Sequence, residues 1–217
     1  MGWVVGGVIA GVALTPLVLF FLRLQRRGPK RAEVALTIDD GPHPLSTPAL
    51  LDTLQRLGVR ATMFCPSDRA TRHPELMARM RALGHELGNH SARHAWHMGF
   101  WSRHSALADL QRAERELGPT RWFRPVAGVA TPPLLAAARM LGLRAVGWTA
   151  RAKDGSPWSP SSQAMLRRLC RGLVPGGILV AHDVPKSALV AVLPDLVAEA
   201  ERRGLRFVLL SEWLEAR

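Results

Sequence analysis

The sequence predicts a parallel α/β domain behind one membrane-spanning helix. Three observations predict it. Short β-rich apolar runs alternate with longer amphipathic stretches, the pattern of strand–helix–strand units. The titratable residues that interrupt the pattern fall at the ends of the apolar runs, where parallel α/β folds carry their chemistry. Finally, Gly2 to Leu22 contain no charged residue.

That first run is about long enough to cross a ~30 Å hydrocarbon core, and Pro16 is tolerable inside a membrane helix. A cleaved signal peptide opens on basic residues and ends at a small-x-small site. Here the start lacks Lys and Arg, and bulky Leu19, Phe20 and Phe21 lead straight to Arg23. Residues 1–22 are therefore read as an uncleaved single-pass anchor, 23–32 as a basic linker broken at Gly28-Pro29, and 33–217 as one domain. The positive charge after the span places that domain in the cytoplasm by the positive-inside rule.

Strands are expected at Val34 to Ile38, Ala61 to Cys65, Trp122 to Arg124, Ala145 to Thr149, Gly177 to Ala181 and Phe207 to Leu210, with a short one near Glu86-Leu87. Helices are expected around Thr47 to Leu57, Pro74 to Leu83, Ala106 to Leu117, Pro133 to Leu141, Ser161 to Leu173 and Leu189 to Arg203, the last closed by Gly204 as a C-cap. No internal repeat and no low-complexity tract interrupts the series.

Composition narrows the function classes. Two cysteines in 217 residues are too few for a disulfide framework, and the absence of Cys-x-x-Cys argues against a thiolate zinc site. Cys65 ends an apolar run and reads as a small buried hydrophobe. The net charge of +12 is mostly arginine. It suits nucleic acid, an anionic membrane surface or an anionic glycan, or is mere composition with arginines scattered along helical segments, so charge alone decides nothing. No aromatic-interleaved basic stripe supports nucleic-acid binding.

Two motifs carry chemistry. Asp39 and Asp40 are adjacent carboxylates at a strand end, which repel unless a cation or proton compensates. The plainer reading is a polar Asp-Gly-Pro turn. His90 and His94 form a His-x-x-x-His pair, expected on one side of a helical turn. With an aspartate from another strand end they make three ligands with open positions, as catalytic divalent-metal sites do. His97 and His104 lie nearby and read as surface residues.

Four segments, in order, give a resemblance. Thr37-Ile38-Asp39-Asp40-Gly41-Pro42, Gly84 to His94, Phe123-Arg124-Pro125-Val126-Ala127-Gly128 and Gly177 to Asp183 are similar to the motifs of the polysaccharide deacetylase family, the NodB-homology or carbohydrate esterase family 4 domain. The resemblance covers residues 33–217 and implies a distorted (β/α) barrel of the NodB-homology type. It implies a hydrolase that removes N-acyl groups, N-acetyl foremost, from amino sugars of an envelope glycan such as peptidoglycan. By that likeness Asp39 is the general base, and Asp40, His90 and His94 hold the metal. Arg124 orients Asp39, His182 is the general acid, and Asp154 tunes His182. Pro125, Ala127 and Leu179 line the substrate, Leu179 in the acetyl pocket and Ala127 through its N–H. The implied cofactor is a divalent ion, zinc first, with cobalt, nickel or manganese also suited to the donors. The likeness places the catalytic domain on the envelope side of the membrane, against the charge rule.

The chain departs from the family pattern at two places. Val126-Ala127 replace Pro-Tyr, and Gly155 replaces a tryptophan, so two aromatic walls of the sugar groove are missing. Trp96 and Trp101 are candidates to replace them, or simply pack. The losses weigh against a long chitin-like polymer and leave room for a lipid-linked sugar, by deacylation or deformylation. An esterase on O-acetylated sugars uses the same site. A non-catalytic membrane-tethered glycan-binding domain is the alternative of another class, and binding alone needs neither Asp39 nor His182. A basic membrane-surface scaffold leaves the motifs unexplained.

Overall fold

The structure, a computed structural model, describes residues 24–155 and 159–215. The expected anchor over 1–22 lies outside the described residues. Among those described, no helix is long and apolar enough to cross a membrane.

Strand β1, Glu33–Asp39, sets the architecture. Successive side chains of a strand point to opposite faces. Val34, Leu36 and Ile38 face an outer helical layer, while Ala35 joins an inner cluster with Phe64, Trp122, Val146, Ile178, Val208, Leu210 and Trp213. Both faces are covered, as parallel sheets require. The other strands are β2 (Thr62–Cys65), β3 (Glu86–Asn89), β4 (Trp122–Phe123), β5 (Arg144–Ala145), β6 (Ala150–Arg151), β7 (Gly177–His182) and β8 (Arg206–Phe207). They form one parallel sheet in the order β5-β4-β3-β2-β1-β7-β6, with β8 against the start of β1.

The helices are α1 (Thr47–Arg56), α2 (Ser67–Ala70), α3 (Pro74–Ala82), α4 (Arg103–Leu117), α5 (Pro132–Met140), α6 (Ser162–Cys170), α7 (Leu189–Arg202) and α8 (Glu212–Glu215). Leu50, Leu51 and Leu54 of α1, Met165 and Leu169 of α6, and Leu193 and Leu196 of α7 bury against the outer face of β1 and β7. Leu110 of α4 and Leu134 of α5 enclose Phe123 in a second outer cluster. Ser102 and Ser161 cap α4 and α6 through their hydroxyls. Gly204, at φ 68°, ends α7 as expected.

One expected strand is split. The run from Ala145 to Thr149 leaves the sheet after β5 and rejoins it as β6 at the opposite edge. The gap is sealed by the stretch expected as a linker. Gln25 bridges to Val146 and Arg27 to Gly177, while Thr149 Oγ1 donates to the Arg26 carbonyl (3.0 Å). Leu24 is buried beside Ala130 and Leu135. The result is a curled parallel half-barrel whose opening is bridged by residues 24–27.

Candidate active site

The carboxyl ends of β1, β3, β4 and β7 converge on a cavity of about 290 Å³. It is lined by Asp39, Asp40, His90, His94 and His182, with Pro125, Ala127, Val180, Trp96 and Trp148 among its walls. All three expected ligands and both members of the expected base–acid pair meet there.

Asp39 continues the inward face of β1, and Asp40 is turned into the same cavity by a left-handed backbone (φ 76°). Asp40 is held by its own backbone: its N–H donates to Phe64 (3.1 Å), and Arg69 donates to its carbonyl (2.5 Å). His90 follows β3. Its Nδ1 lies 2.8 Å from the Arg124 carbonyl. A carbonyl only accepts, so Nδ1 carries the proton and Nε2 presents a lone pair. The His90–His94 segment is not the expected helical turn. Ser91 (φ 68°) and His94 (φ 52°) are left-handed, Ser91 Oγ accepts from the His94 N–H (2.9 Å), and Asp109 accepts from Ala92 N (2.8 Å). The pair therefore meets through a loop. Such backbone strain at three neighbouring non-glycine positions is typical of functional sites.

Ligand atoms of Asp40, His90 and His94 lie within 4.8 Å of one another. Asp40 Oδ1 is buried and accepts no hydrogen bond, although His94 Nε2 is 2.7 Å and His90 Nε2 3.6 Å away. A buried carboxylate oxygen without a donor is costly. Here it faces two imidazole nitrogens, the donor set of a borderline divalent cation, so the residues fit the implied metal. Burial raises the Asp40 pKa, but the His94 contact and the neighbouring histidine charges outweigh it and hold the carboxyl well below its usual range. Burial foremost lowers His90, against the charges of Asp39 and Asp40, which keeps its ring neutral.

Arg124 is almost wholly buried, and each of its guanidinium nitrogens has a hydrogen-bond partner. Its Nη1 donates to Asp39 Oδ1 and to Thr37 Oγ1 (2.7 Å each), Nη2 donates to the Gly147 carbonyl (3.0 Å), and Cζ sits 4.2 Å over the Phe64 ring. Burial pulls its pKa down, and the Asp39 charge and hydrogen bond oppose that. The guanidinium thus fixes one oxygen of Asp39 and leaves the other to the cavity.

His182 ends β7 at the register of Asp39 on β1, so the two are lateral neighbours. Its Nδ1 is 2.7 Å from Asp154 Oδ1, and Asp154 Oδ2 accepts from the His182 N–H (3.1 Å) and Ser187 Oγ (2.6 Å). Burial opposes a charge on His182, yet the Asp154 hydrogen bond and the charges of Asp39, Asp154 and Asp40 raise its pKa to about 8. Asp154, the residue expected to tune His182, is thus in direct contact with its ring. Asp183 plays a separate, structural part. Ser46 Oγ and Thr47 Oγ1 each donate to it at 2.5 Å, which ties the loop after Asp40 to the end of β7. A Cβ at Gly41 would come within 2.6 Å of Asp183 Oδ2.

One expected residue is misplaced. Leu179 is buried in the outer cluster against Gly172 and faces the helices, not the cavity. Val180 lines the cavity in its stead. The alternation of β7 dictates this, because Val180 and His182 share a face and Leu179 does not. Pro125 and Ala127 (φ 54°) do line it. Of the two tryptophan candidates, Trp96 lines the cavity, whereas Trp101 packs under Arg93 (4.7 Å to the ring centroid). Trp148 is a wall residue that no sequence motif marks. Gly128 admits it, since a Cβ there would come within 2.5 Å of its ring. At Gly155 a Cβ would come within 2.7 Å of the His182 ring, so the glycine makes room for the histidine. Cys65 is buried as expected, with its thiol pushed up by burial, and His97 and His104 are exposed.

Fold and site together define an α/β half-barrel hydrolase scaffold with an Asp–His–His cluster beside a carboxylate–histidine pair. The sequence profile of the polysaccharide deacetylase family matches residues 26–146. The chain is 34% identical over 194 residues to a chitooligosaccharide deacetylase of a Bradyrhizobium species, covering 79% of this chain and 85% of that one. It is 29% identical over 187 residues to a peptidoglycan-N-acetylglucosamine deacetylase of Bacillus cereus, covering 83% and 87%. A crystal structure of a carbohydrate esterase family 4 pseudoenzyme from Bacillus anthracis superposes with a TM-score of 0.79 at 25% identity, over 87% of this chain and 68% of that one. The chain belongs to the polysaccharide deacetylase family. Membership classes it with hydrolases of carbon–nitrogen bonds other than peptide bonds.

Proposed function

We propose that this protein removes N-acetyl groups from amino sugars of an envelope glycan such as peptidoglycan, using a divalent ion held by Asp40, His90 and His94. The observation that carries the reading is the unpartnered Asp40 Oδ1 facing two imidazoles, beside a base and an acid on adjacent strands. Relatives named for peptidoglycan and chitooligosaccharide substrates support the glycan class. Zinc is the ion proposed first. When bound, it supplies Lewis-acid charge that polarises the acyl carbonyl and acidifies water.

The chain's own residues do the rest. Asp39, held by Arg124, accepts the proton of the attacking water. The Ala127 N–H is the proposed backbone donor to the developing oxyanion. His182 donates from Nε2 to the leaving nitrogen while Asp154 holds Nδ1. A fold neighbour named as a pseudoenzyme shows that the scaffold alone does not imply turnover. The intact Asp39–Arg124 and His182–Asp154 pairs favour an active enzyme over a glycan-binding domain. The membrane anchor over residues 1–22 and an envelope-side domain complete the proposal. Acetate release from N-acetylglucosamine oligomers and from peptidoglycan tests it. Stoichiometric metal without release from either would refute the polymer substrate.

The His182 assignment predicts a pH effect. A raised pKa means the imidazolium donor is present below about 8 and is lost as pH rises through that value. In the metal-free chain, NMR titration of His182 should give about 8, and Asp154→Asn should move it toward the ordinary value of 6.5. An unmoved titration would remove Asp154 from this role.

A further inference from the structure

Parallel pairing puts the loops that follow β1, β3, β4, β6 and β7 at one end of the sheet, around the mouth of the catalytic cavity. Three of the four large hydrophobic side chains left exposed among the described residues stand on these loops: Leu45 (78%) after β1, and Trp96 (72%) and Phe100 (75%) after β3. Trp96 lines the catalytic cavity, and Leu45 lines a neighbouring cavity that shares His182 with it. The fourth, Met140 (62%), closes α5 shortly before β5 begins and so lies at the opposite end. Apolar residues scattered singly over a surface need no explanation, whereas a group of them rimmed by polar residues marks an interaction site.

The exposed charges at this end have one sign. Asp40, Asp154 and Asp183, the acidic residues of these loops, are buried. Arg93, Lys153 and Lys186 are exposed, as are Arg151 at the end of β6 and Arg103 at the start of α4. The chain also enters the domain here. The uncharged stretch from Gly2 to Leu22 ends two residues before Leu24, and Leu24 packs beside Ala130 on the loop after β4.

We propose that this end of the domain docks on an anionic lipid bilayer. Leu45, Trp96 and Phe100 enter the interfacial layer, the surrounding Arg and Lys side chains pair with lipid phosphates, and the catalytic cavity opens toward the membrane surface. Aromatic and aliphatic side chains ringed by Arg and Lys have the composition of an interfacial anchor. Exposed cations also gain from the negative potential of an anionic leaflet. A protein partner of mixed charge would leave the one-signed rim unmatched, whereas a headgroup layer matches it across its whole width. A membrane segment placed directly before Leu24 holds this same end nearest to the bilayer. The inference does not depend on the reaction assigned above, and lack of acetate release bears on that reaction alone.

The test reads lipid contact at single positions of the full chain. Leu45→Cys, Phe100→Cys and Met140→Cys are made separately in a Cys170→Ser background and labelled with a polarity-sensitive fluorophore, while Cys65 is fully buried and stays unlabelled. All three positions are well exposed, so the substitutions spare the fold and the labels start from similar surroundings. Each protein is reconstituted into vesicles of phosphatidylglycerol and phosphatidylcholine that carry a lipid spin-labelled near the headgroup. Labels at positions 45 and 100 should shift to the blue and be quenched about three times as strongly as the label at 140, because interfacial side chains sink ~5–10 Å into the headgroup and acyl boundary. The difference should shrink in pure phosphatidylcholine and as salt approaches ~1 M. Arg103→Glu together with Lys186→Glu should bring positions 45 and 100 most of the way to the value at 140. Equal quenching at the three positions, or a difference that survives both the charge reversals and pure phosphatidylcholine, would overturn the proposal. A blue shift at 45 and 100 without quenching would overturn it too, since it would mean that a second copy of the chain, not lipid, covers them.

Discussion

Asp39→Asn should lower kcat for acetate release by about 10³-fold, the middle of the range for loss of a general base. Asparagine keeps an oxygen for Arg124 Nη1, which now reaches Asp39 Oδ1 at 2.7 Å, but has no capacity to take a proton. Asp40, His90 and His94 are untouched, so metal stoichiometry should stay at the wild-type value. That separation identifies the role, because a residue needed only to build the site would lose metal and rate together. Steady-state kinetics with metal analysis on the same samples decides it. Less than a tenfold loss would take the base role from Asp39.

Arg124→Met should cost about 3–5 kcal/mol of stability, the usual penalty for breaking a buried ion pair from one side. Asp39 is 4% and Arg124 1% exposed, so water cannot replace the lost partner. Thr37 Oγ1 and the Gly147 carbonyl would lose a donor as well, whereas the methionine stem can still rest on Phe64. Chemical denaturation measures the loss. In Arg124→Met/Asp39→Leu both charges are gone, and part of the loss should return, because no buried carboxylate remains unpaired. A single substitution that costs under about 1 kcal/mol would mean that the pair is solvated and does not anchor the base.

Much of this site was legible in the sequence because strands impose a simple geometry. The apolar runs of β1, β2 and β7 predict a parallel sheet with polar residues at its carboxyl ends, and Asp39, Arg124 and His182 stand there. The ligand set followed from residue type and motif. What was not legible depended on contacts distant in sequence. The split of residues 145–149 between two sheet edges follows from bridges to Gln25 and Arg27, some 120 to 150 residues away. The same curl brings Trp148 and Arg151 to the cavity, and no local pattern marks either. The His90–His94 loop depends on Ser91 and Asp109, which hold a left-handed path that the four-residue spacing alone does not distinguish from a helix. Leu179 is different: the period-two alternation counted back from His182 points to Val180, so strand geometry marks the lining residue where motif likeness does not.

The central claim is that Asp40, His90 and His94 hold a divalent ion on which deacetylation depends. The most direct measurement is acetate release from N-acetylglucosamine oligomers by the full chain, stripped with chelator and then titrated with zinc. Release should be absent from the stripped protein and should rise to a plateau at one equivalent. In His94→Ala the plateau should be lost along with tight binding. Release that is unchanged by stripping, or that persists in His94→Ala at full rate, would contradict the account.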